Sequence, residues 1–324
     1  MAELKQTRFI SGLSLPVSSI FFGTAMPPVM TDGDGAGPLL DSVLAGGVNA
    51  FDCARSYGLA EKALGRWIRE RGVRDQVVIL SKCGDIRDGR VEVNRRVIRE
   101  QLAQSLDALG TDCVDLYLMH RDDPGTPVEE FIETLNEARR QGMIRLFGVS
   151  NWTHERIAAA NRYAAAKGLM GFSVSSPNYG LARQMRDLWG GGCVTLAGPE
   201  NAAARAWYRE NQMPVIAYSS LGRGFFSGRF RAYDYEKART VLDPYAQRGY
   251  LYEENMARLA RAEELARRYG VTVPEIAMRY VFGSGMNVFA VVSTASPERL
   301  SMNLRAAGQP LTSRDIAYLE GTEA

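Results

Sequence analysis

Histidine is almost missing from this chain: 324 residues hold only two, His120 and His154. A catalytic zinc site rich in histidine is therefore not expected, and no metal is assigned. Cysteine is nearly as sparse. Cys53, Cys83, Cys113 and Cys193 lie far apart and form no C-x-x-C pair, as suits reduced thiols in a cytoplasm. An excess of either charge is lacking too. With 39 Lys plus Arg against 37 Asp plus Glu, a net +2 gives no reason to expect nucleic acid or an anionic membrane as partner. No apolar run approaches the roughly 20 residues of a membrane span. The opening MAELKQTRFISG has no apolar h-region and does not read as a secretory signal, so a cytoplasmic location is expected. Phosphate-binding loops are missing as well. In TDGDGAGP (31–38) the spacing is G-x-G-x-G with Pro38 following, short of the dinucleotide fingerprint, and no P-loop occurs.

What the chain has is a repeat of short apolar strands and longer helical patterns. The strands are expected at 18–24, 48–53, 77–82, 113–120, 144–150, 171–176, 214–220 and 286–293. Their runs are near-continuously apolar rather than alternating, which suggests a parallel sheet covered on its faces. Between them, Ile98, Leu102, Leu106 and Leu109 form one apolar stripe of a helix within 91–109. Thr126-Pro127-Val128-Glu129 and Thr272-Val273-Pro274-Glu275 read as capping boxes, and Gly270 as a helix stop. Eight β–α units in one chain predict an α/β fold, a (β/α)8 TIM barrel forming a single domain over 1–324. An open doubly wound sheet is the alternative. Two pieces fall outside the repeat: a small N-terminal β-hairpin over 8–17 turning at Ser11-Gly12, and a long loop over 221–250 after strand seven.

In such a barrel the reactive groups belong at the C-terminal ends of the strands. The second strand ends in Asp52, with Tyr57 five residues on; the third ends in Lys82 and the fourth in His120. Each has a plain reading: Asp52 as a helix cap, Tyr57 as a packed loop aromatic, Lys82 as an odd strand end, His120 as a core histidine. Taken together at matching strand ends, they read as catalytic. A phenol with a pKa of about 10 exchanges protons poorly at neutral pH; a neighbouring ammonium lowers that value, and a carboxylate holds the ammonium in place. This is apparatus for protonating an oxyanion as hydride reaches carbon, and the hydride must come from a cofactor. His154, at a helix start, reads as structural.

These residues resemble the aldo-keto reductase superfamily. FDCARSYG (51–58), with Glu61 and ALG (63–65) following, is similar to its F-D-T-A-x-x-Y-G motif; ILSK ending at Lys82, DLYLMHRDDP around His120 and GMIRLFGVSN (142–151) match further segments. The resemblance implies Tyr57 as general acid, Lys82 and Asp52 as its tuning pair, and His120 orienting the carbonyl. It implies NADP(H) as cofactor, preferred over NAD(H), with Gly23 and Thr24 closing strand one. Ser150, Asn151 and Ser176 fall at the nicotinamide carboxamide, Tyr218 on its ring, and Ser219, Leu221 and Gly222 around the pyrophosphate. Ser293, Thr294, Arg299 and Asn303 fall at the adenosine end, where Ser296-Pro297 would open a helix whose N-terminus attracts anions.

The chain departs from the family pattern at Ser176 for a glutamine, Ser293 for a lysine, Met302 for a glutamate, and at Arg55 in the first motif. The implied activity is reduction of an aldehyde or ketone to an alcohol, on a small carbonyl or sugar-like substrate. The alternatives are a cofactor-binding regulatory protein and a redox-neutral sugar-modifying enzyme that retains its nicotinamide. Met26, Phe225, Phe226 and Tyr250 are expected to line an apolar pocket, with Arg55, Arg121 and Arg223 near it. No exposed stripe or heptad run marks an oligomer surface.

Overall fold

The structure is a computed structural model and describes residues 6–86, 89–189 and 191–322. The barrel strands are β1 (Ile20–Gly23), β2 (Ala50–Asp52), β3 (Val78–Cys83), β4 (Val114–Met119), β5 (Ile144–Ser150), β6 (Val174–Ser176), β7 (Val215–Ala217) and β8 (Val288–Val292). They close in the order β8-β1-β2-β3-β4-β5-β6-β7, a (β/α)8 barrel. Each begins later or ends earlier than its apolar run, except β5 and the C-terminal end of β3. Almost every strand residue is buried, so the apolar runs are covered on both faces. The parallel register sets Gly23 beside Asp52, Asp52 beside Leu80, Lys82 beside Leu118 and Ser150 beside Ser176. That stagger brings the polar strand ends to one rim.

The helices are α1 (Ala36–Ala45), α2 (Ala60–Arg71), α3 (Arg95–Leu109), α4 (Val128–Arg140), α5 (His154–Ala166) and α6 (Ala202–Asn211). They continue as α7 (Tyr235–Val241), α8 (Pro244–Tyr250), α9 (Glu253–Tyr269), α10 (Val273–Phe282), α11 (Pro297–Ala307) and α12 (Ser313–Glu320). Gly65 of the ALG motif has a packing reason: a Cβ there would meet the Leu109 carbonyl oxygen at 2.1 Å, so α2 approaches the end of α3 as only glycine permits. Asn94 caps α3 by accepting from the Val97 amide, and Gly270 stops α9 at φ +64°. Neither expected capping box forms. Thr126 turns its hydroxyl to Asp123 Oδ2 at 3.4 Å, and α4 starts from Pro127 instead. Thr272 stands at the N-cap of α10, but its hydroxyl lies 3.2 Å from Met302 Sδ. A residue of the preceding loop takes the hydroxyl in the first case and a residue of another helix in the second.

The hairpin is a two-stranded antiparallel ribbon, Thr7–Arg8 with Val17–Ser18, and Gly12 takes φ +95° between them. The chain forms two compact units. One runs to Ser176 and includes Ser293–Leu300; the other is Pro177–Val292 with the chain from Ser301 on. In the second unit the 221–250 segment is a packed excursion rather than an open loop. It opens in a series of turns and ends in α7 and α8, with Phe225, Phe226 and Tyr250 at 1% exposure or less. These aromatics belong to the unit's core and are not pocket walls.

Candidate active site

The first unit gathers three of the expected residues around one ammonium group. Lys82 lies one residue from the end of β3 and is 2% exposed; Asp52 ends β2 and is 5% exposed. Removing a lysine from water is tolerable only when its charge is met. Lys82 Nζ donates to Asp52 Oδ1 at 2.6 Å, to the Cys53 carbonyl at 2.9 Å and to Tyr57 Oη at 3.4 Å. An ammonium has three N–H donors, and all three are used. Burial alone would lower the Lys82 pKa, but the Asp52 carboxylate and the Tyr57 hydroxyl outweigh it and hold the amine protonated. Burial pushes the Asp52 carboxyl up while Lys82 pulls it down. The net direction for Asp52 is upward, burial outweighing the pull of the ammonium 2.6 Å away. Thr24 steadies the same strand end, its amide and hydroxyl both donating to the Asp52 carbonyl.

Tyr57 is half-buried in the turn after β2. Its amide donates to the Ala54 carbonyl, and the following Gly58 takes φ +57°, where a Cβ would meet the Met30 carbonyl oxygen at 2.8 Å. Lys82 Nζ stands 4.9 Å from the ring centroid. The phenol differs from the sequence expectation. Burial pushes it up to about 12; Lys82 pulls it down and Asp52 opposes that pull, so the net direction is upward. The hydroxyl is therefore protonated throughout the neutral range.

His120 follows β4, its amide donating to the Cys83 carbonyl at 2.6 Å, and its ring stands edge-on to Tyr57 at 5.7 Å between centroids. Burial, with Lys82 and Arg121 adding to it, lowers the imidazole to about 3 against the pull of Asp85. It is neutral at physiological pH. Asn151, at φ +60° just past β5, donates from Nδ2 to the His120 carbonyl and to Ser150 Oγ, both at 3.1 Å; Ser150 Oγ donates to the Ser176 carbonyl at 2.8 Å. Ser176 itself is buried.

Ser293 and Gly23 meet directly, the serine hydroxyl donating to the glycine carbonyl at 2.8 Å. Thr294 Oγ1 accepts from the Ser296 amide at 3.1 Å, and Ser296 Oγ accepts from the Arg299 amide at 3.2 Å, capping α11. Arg299 lies exposed in the first turn of that helix. In the second unit, Asn303 of α11 is buried, and its Oδ1 has no hydrogen-bond partner among the described residues. An orphaned buried amide oxygen is costly unless something supplies a donor. Also in the second unit, Tyr218 follows β7 and packs at 5.9 Å against Trp189. Ser219 and Gly222 take φ +54° and +58°, with Leu221 between them, so the chain after Tyr218 turns on left-handed residues.

The three arginines are each paired. Arg55 meets buried Glu61 at 2.6 Å, Arg121 meets Asp85 at 3.3 Å, and Arg223 meets Asp243 at 2.8 Å while lying over Trp189 and Tyr245. Arg55 is thereby tied to a carboxylate of its own unit. Sequence reasoning missed Asp85 and Ser56, which both approach His120 Nδ1. Asp85 lies three residues past Lys82, at the same rim, and that position was the available signal. Among the described residues no group of His, Cys, Asp and Glu is placed to hold a metal ion, and no helix is long and apolar enough to cross a membrane.

The rim of the barrel thus carries a buried carboxylate–ammonium pair with the Tyr57 hydroxyl beside it, a set suited to moving a proton. A model of the aldo/keto reductase family matches residues 19–324, and the chain belongs to that family, whose members generally use NAD(P)H on small carbonyl compounds. Among its relatives, an aldo-keto reductase of Gibberella moniliformis is 30% identical over 294 residues, 88% of this chain and 80% of that one. The aldo-keto reductase YhdN of Bacillus subtilis is 28% identical over 83% of this chain and 77% of its own length. A Schizosaccharomyces pombe relative, aldo-keto reductase yakc, carries NADP(+) in its name; it is 26% identical over 80% of this chain and 74% of its own.

Proposed function

We propose that the protein reduces an aldehyde or ketone to an alcohol with NADPH, and that Tyr57 supplies the proton. The observation that carries the reading is the triple engagement of Lys82 by Asp52, the Cys53 carbonyl and Tyr57. NADPH, when bound, supplies the hydride to the carbonyl carbon. Tyr57 gives its Oη proton to the oxygen that gains charge. The phenolate left behind is stabilised by the Lys82 ammonium, whose position Asp52 fixes. Burial makes the resting phenol reluctant to ionise, so the proton is held until the substrate oxygen becomes the stronger base. Neutral His120 offers the substrate a hydrogen bond without adding charge.

The residues present fit such a cofactor, since Asn303 keeps a buried amide oxygen in need of a donor. By resemblance, Gly23, Thr24, Ser150, Asn151, Ser176, Ser293, Thr294 and Arg299 of the first unit would hold it. The exposed Arg299 guanidinium favours a 2′-phosphate and hence NADP(H) over NAD(H).

A panel of aldehydes and ketones incubated with NADPH or NADH tests the reading. One alcohol should form per nicotinamide oxidised, faster with NADPH. Turnover of a sugar with no net nicotinamide consumption would instead support redox-neutral chemistry, and tight NADPH binding with no turnover a regulatory role.

A further inference from the structure

A second buried ion pair stands behind the turn that carries Tyr57. Glu61, in the first turn of α2, is 2% exposed, and burying a carboxylate is costly unless its charge is met. Both its oxygens are engaged: Oε2 accepts from Arg55 Nη1 and Oε1 from Ser81 Oγ, each at 2.6 Å. Arg55 is partly exposed; its Nε donates to Gln104 Oε1 of α3 at 3.3 Å, and its amide donates to the Lys82 carbonyl at 2.9 Å. Ser81 precedes Lys82 on β3, and successive strand side chains point to opposite faces. Ser81 therefore turns to the helices while Lys82 points into the barrel. No step of the proton transfer uses Arg55, Glu61 or Ser81.

Arg55 precedes Tyr57 and Glu61 follows it, six positions apart, so the ion pair spans the turn that presents the phenol. The Ala60 amide donates to the Tyr57 carbonyl at 3.0 Å, and α2 thus starts directly from that turn. The contact the turn must preserve is a long one. Lys82 Nζ reaches Tyr57 Oη at 3.4 Å, near the limit of a hydrogen bond, and a small drift of the turn removes it. A buried ion pair is a weak source of stability, because apolar residues of similar volume often serve as well. What it supplies is one defined geometry.

We propose that Arg55 and Glu61 are positioning residues: their ion pair, bonded to β3 through Ser81 and to α3 through Gln104, braces the turn so that the Tyr57 hydroxyl stays on the Lys82 ammonium. This deepens the reductase reading, on which its meaning for turnover rests. Adjacent residues of β3 then serve the acid from two sides, Lys82 holding its hydroxyl and Ser81 holding the brace of its turn. No residue assigned to the cofactor is bonded to the pair among the described residues, so loosening the brace moves Tyr57 and leaves the cofactor's groups in place.

NMR of the full-length protein with tyrosine labelled with 13C at Cζ tests the brace, since that shift reports the hydrogen bonding and charge beside the phenol oxygen. Tyr57→Phe assigns the Tyr57 signal among 14 tyrosines, and Tyr233→Phe assigns that of Tyr233, 87% exposed, as the solvent reference. In the wild type at neutral pH the two signals should differ, and Arg55→Met should move the Tyr57 signal toward the Tyr233 value. Coincident signals in the wild type, or a Tyr57 signal unmoved in the folded variant, overturn the proposal. Should a stranded Glu61 keep that variant from folding, Arg55→Met/Glu61→Gln removes both charges together and is judged by the same outcomes. No cofactor or turnover enters, so this result stands apart from the fate of the reductase reading. Where a carbonyl is reduced, kcat should fall about tenfold in the variant with the NADPH Kd unchanged. Weaker NADPH binding with kcat unchanged overturns the proposal.

Discussion

At the ends of β2 and β3 the polar groups are closed in upon one another, whereas along the start of α11 they face outward or face nothing. Lys82 is 2% exposed and has an acceptor for every ammonium proton. Arg299 is exposed, and buried Asn303 keeps an amide oxygen without a donor among the described residues. The first region is closed by the fold itself; the second leaves a guanidinium to solvent and, among the described residues, an amide oxygen unmet. Electrostatic chemistry benefits from the first arrangement, because groups already in place need no reorganisation as charge develops.

Breaking the closed region should have the largest effect. Lys82→Met leaves the Asp52 carboxylate buried and unpaired, and removing one partner of such a pair costs about 3–5 kcal/mol. Urea unfolding should show that loss, together with a rate loss of roughly a hundredfold or more from the misplaced acid. Full stability in this variant would mean that Asp52 is not ionised in the fold.

A smaller effect is expected at His120. Its imidazole is lowered from 6.5 to about 3, chiefly by burial. Below 6.5 the unfolded chain takes up a proton that the folded chain refuses. This contribution to stability is present above that pH and lost as the pH falls toward 3, at roughly 1.4 kcal/mol per unit. Unfolding of His120→Gln, followed from neutral to acid pH, should be flatter than wild type. Parallel curves would put His120 in contact with water.

Tyr57 titrates in the opposite sense. Its phenol is raised to about 12, so the donor is intact through neutral and mildly alkaline pH, and a fall in rate from its ionisation comes only near that value. A falling limb between about pH 7 and 9 that disappears in the Tyr57→Phe variant would contradict an upward net shift.

The least effect belongs to the open region. Arg299→Ala should weaken NADPH binding about tenfold, the worth of one exposed charge-assisted contact, and leave NADH nearly unchanged. Equal weakening of both would place Arg299 elsewhere than at a 2′-phosphate.

The same contrast explains what the amino-acid sequence disclosed. The eight strands and the rim set Asp52, Tyr57, Lys82 and His120 were legible, because apolar runs report burial and a lysine closing such a run needs a partner. The failures lie where a group finds another partner, near or far in sequence, than the one the pattern assigns it. Thr126 and Thr272 give their hydroxyls to Asp123 and Met302 rather than to helix ends. Phe225, Phe226 and Tyr250 look like pocket walls in a long loop, yet that segment folds onto its own core. The net direction of the Tyr57 shift also depends on burial, which spacing does not report. Ser56 carries no such signal, since its meaning lies in its distance to one nitrogen, whereas the place of Asp85 three residues past Lys82 is legible in the sequence.

The central claim is that Tyr57, held by Lys82, is the acid of a hydride-transfer reaction. Single-turnover transfer of deuterium from C4-labelled NADPH to a carbonyl carbon tests it, comparing wild type with Tyr57→Phe. The wild type should deliver the label to the alcohol carbon. The variant should bind NADPH as tightly yet transfer it at least about a hundredfold more slowly. Transfer at the wild-type rate in Tyr57→Phe would contradict it.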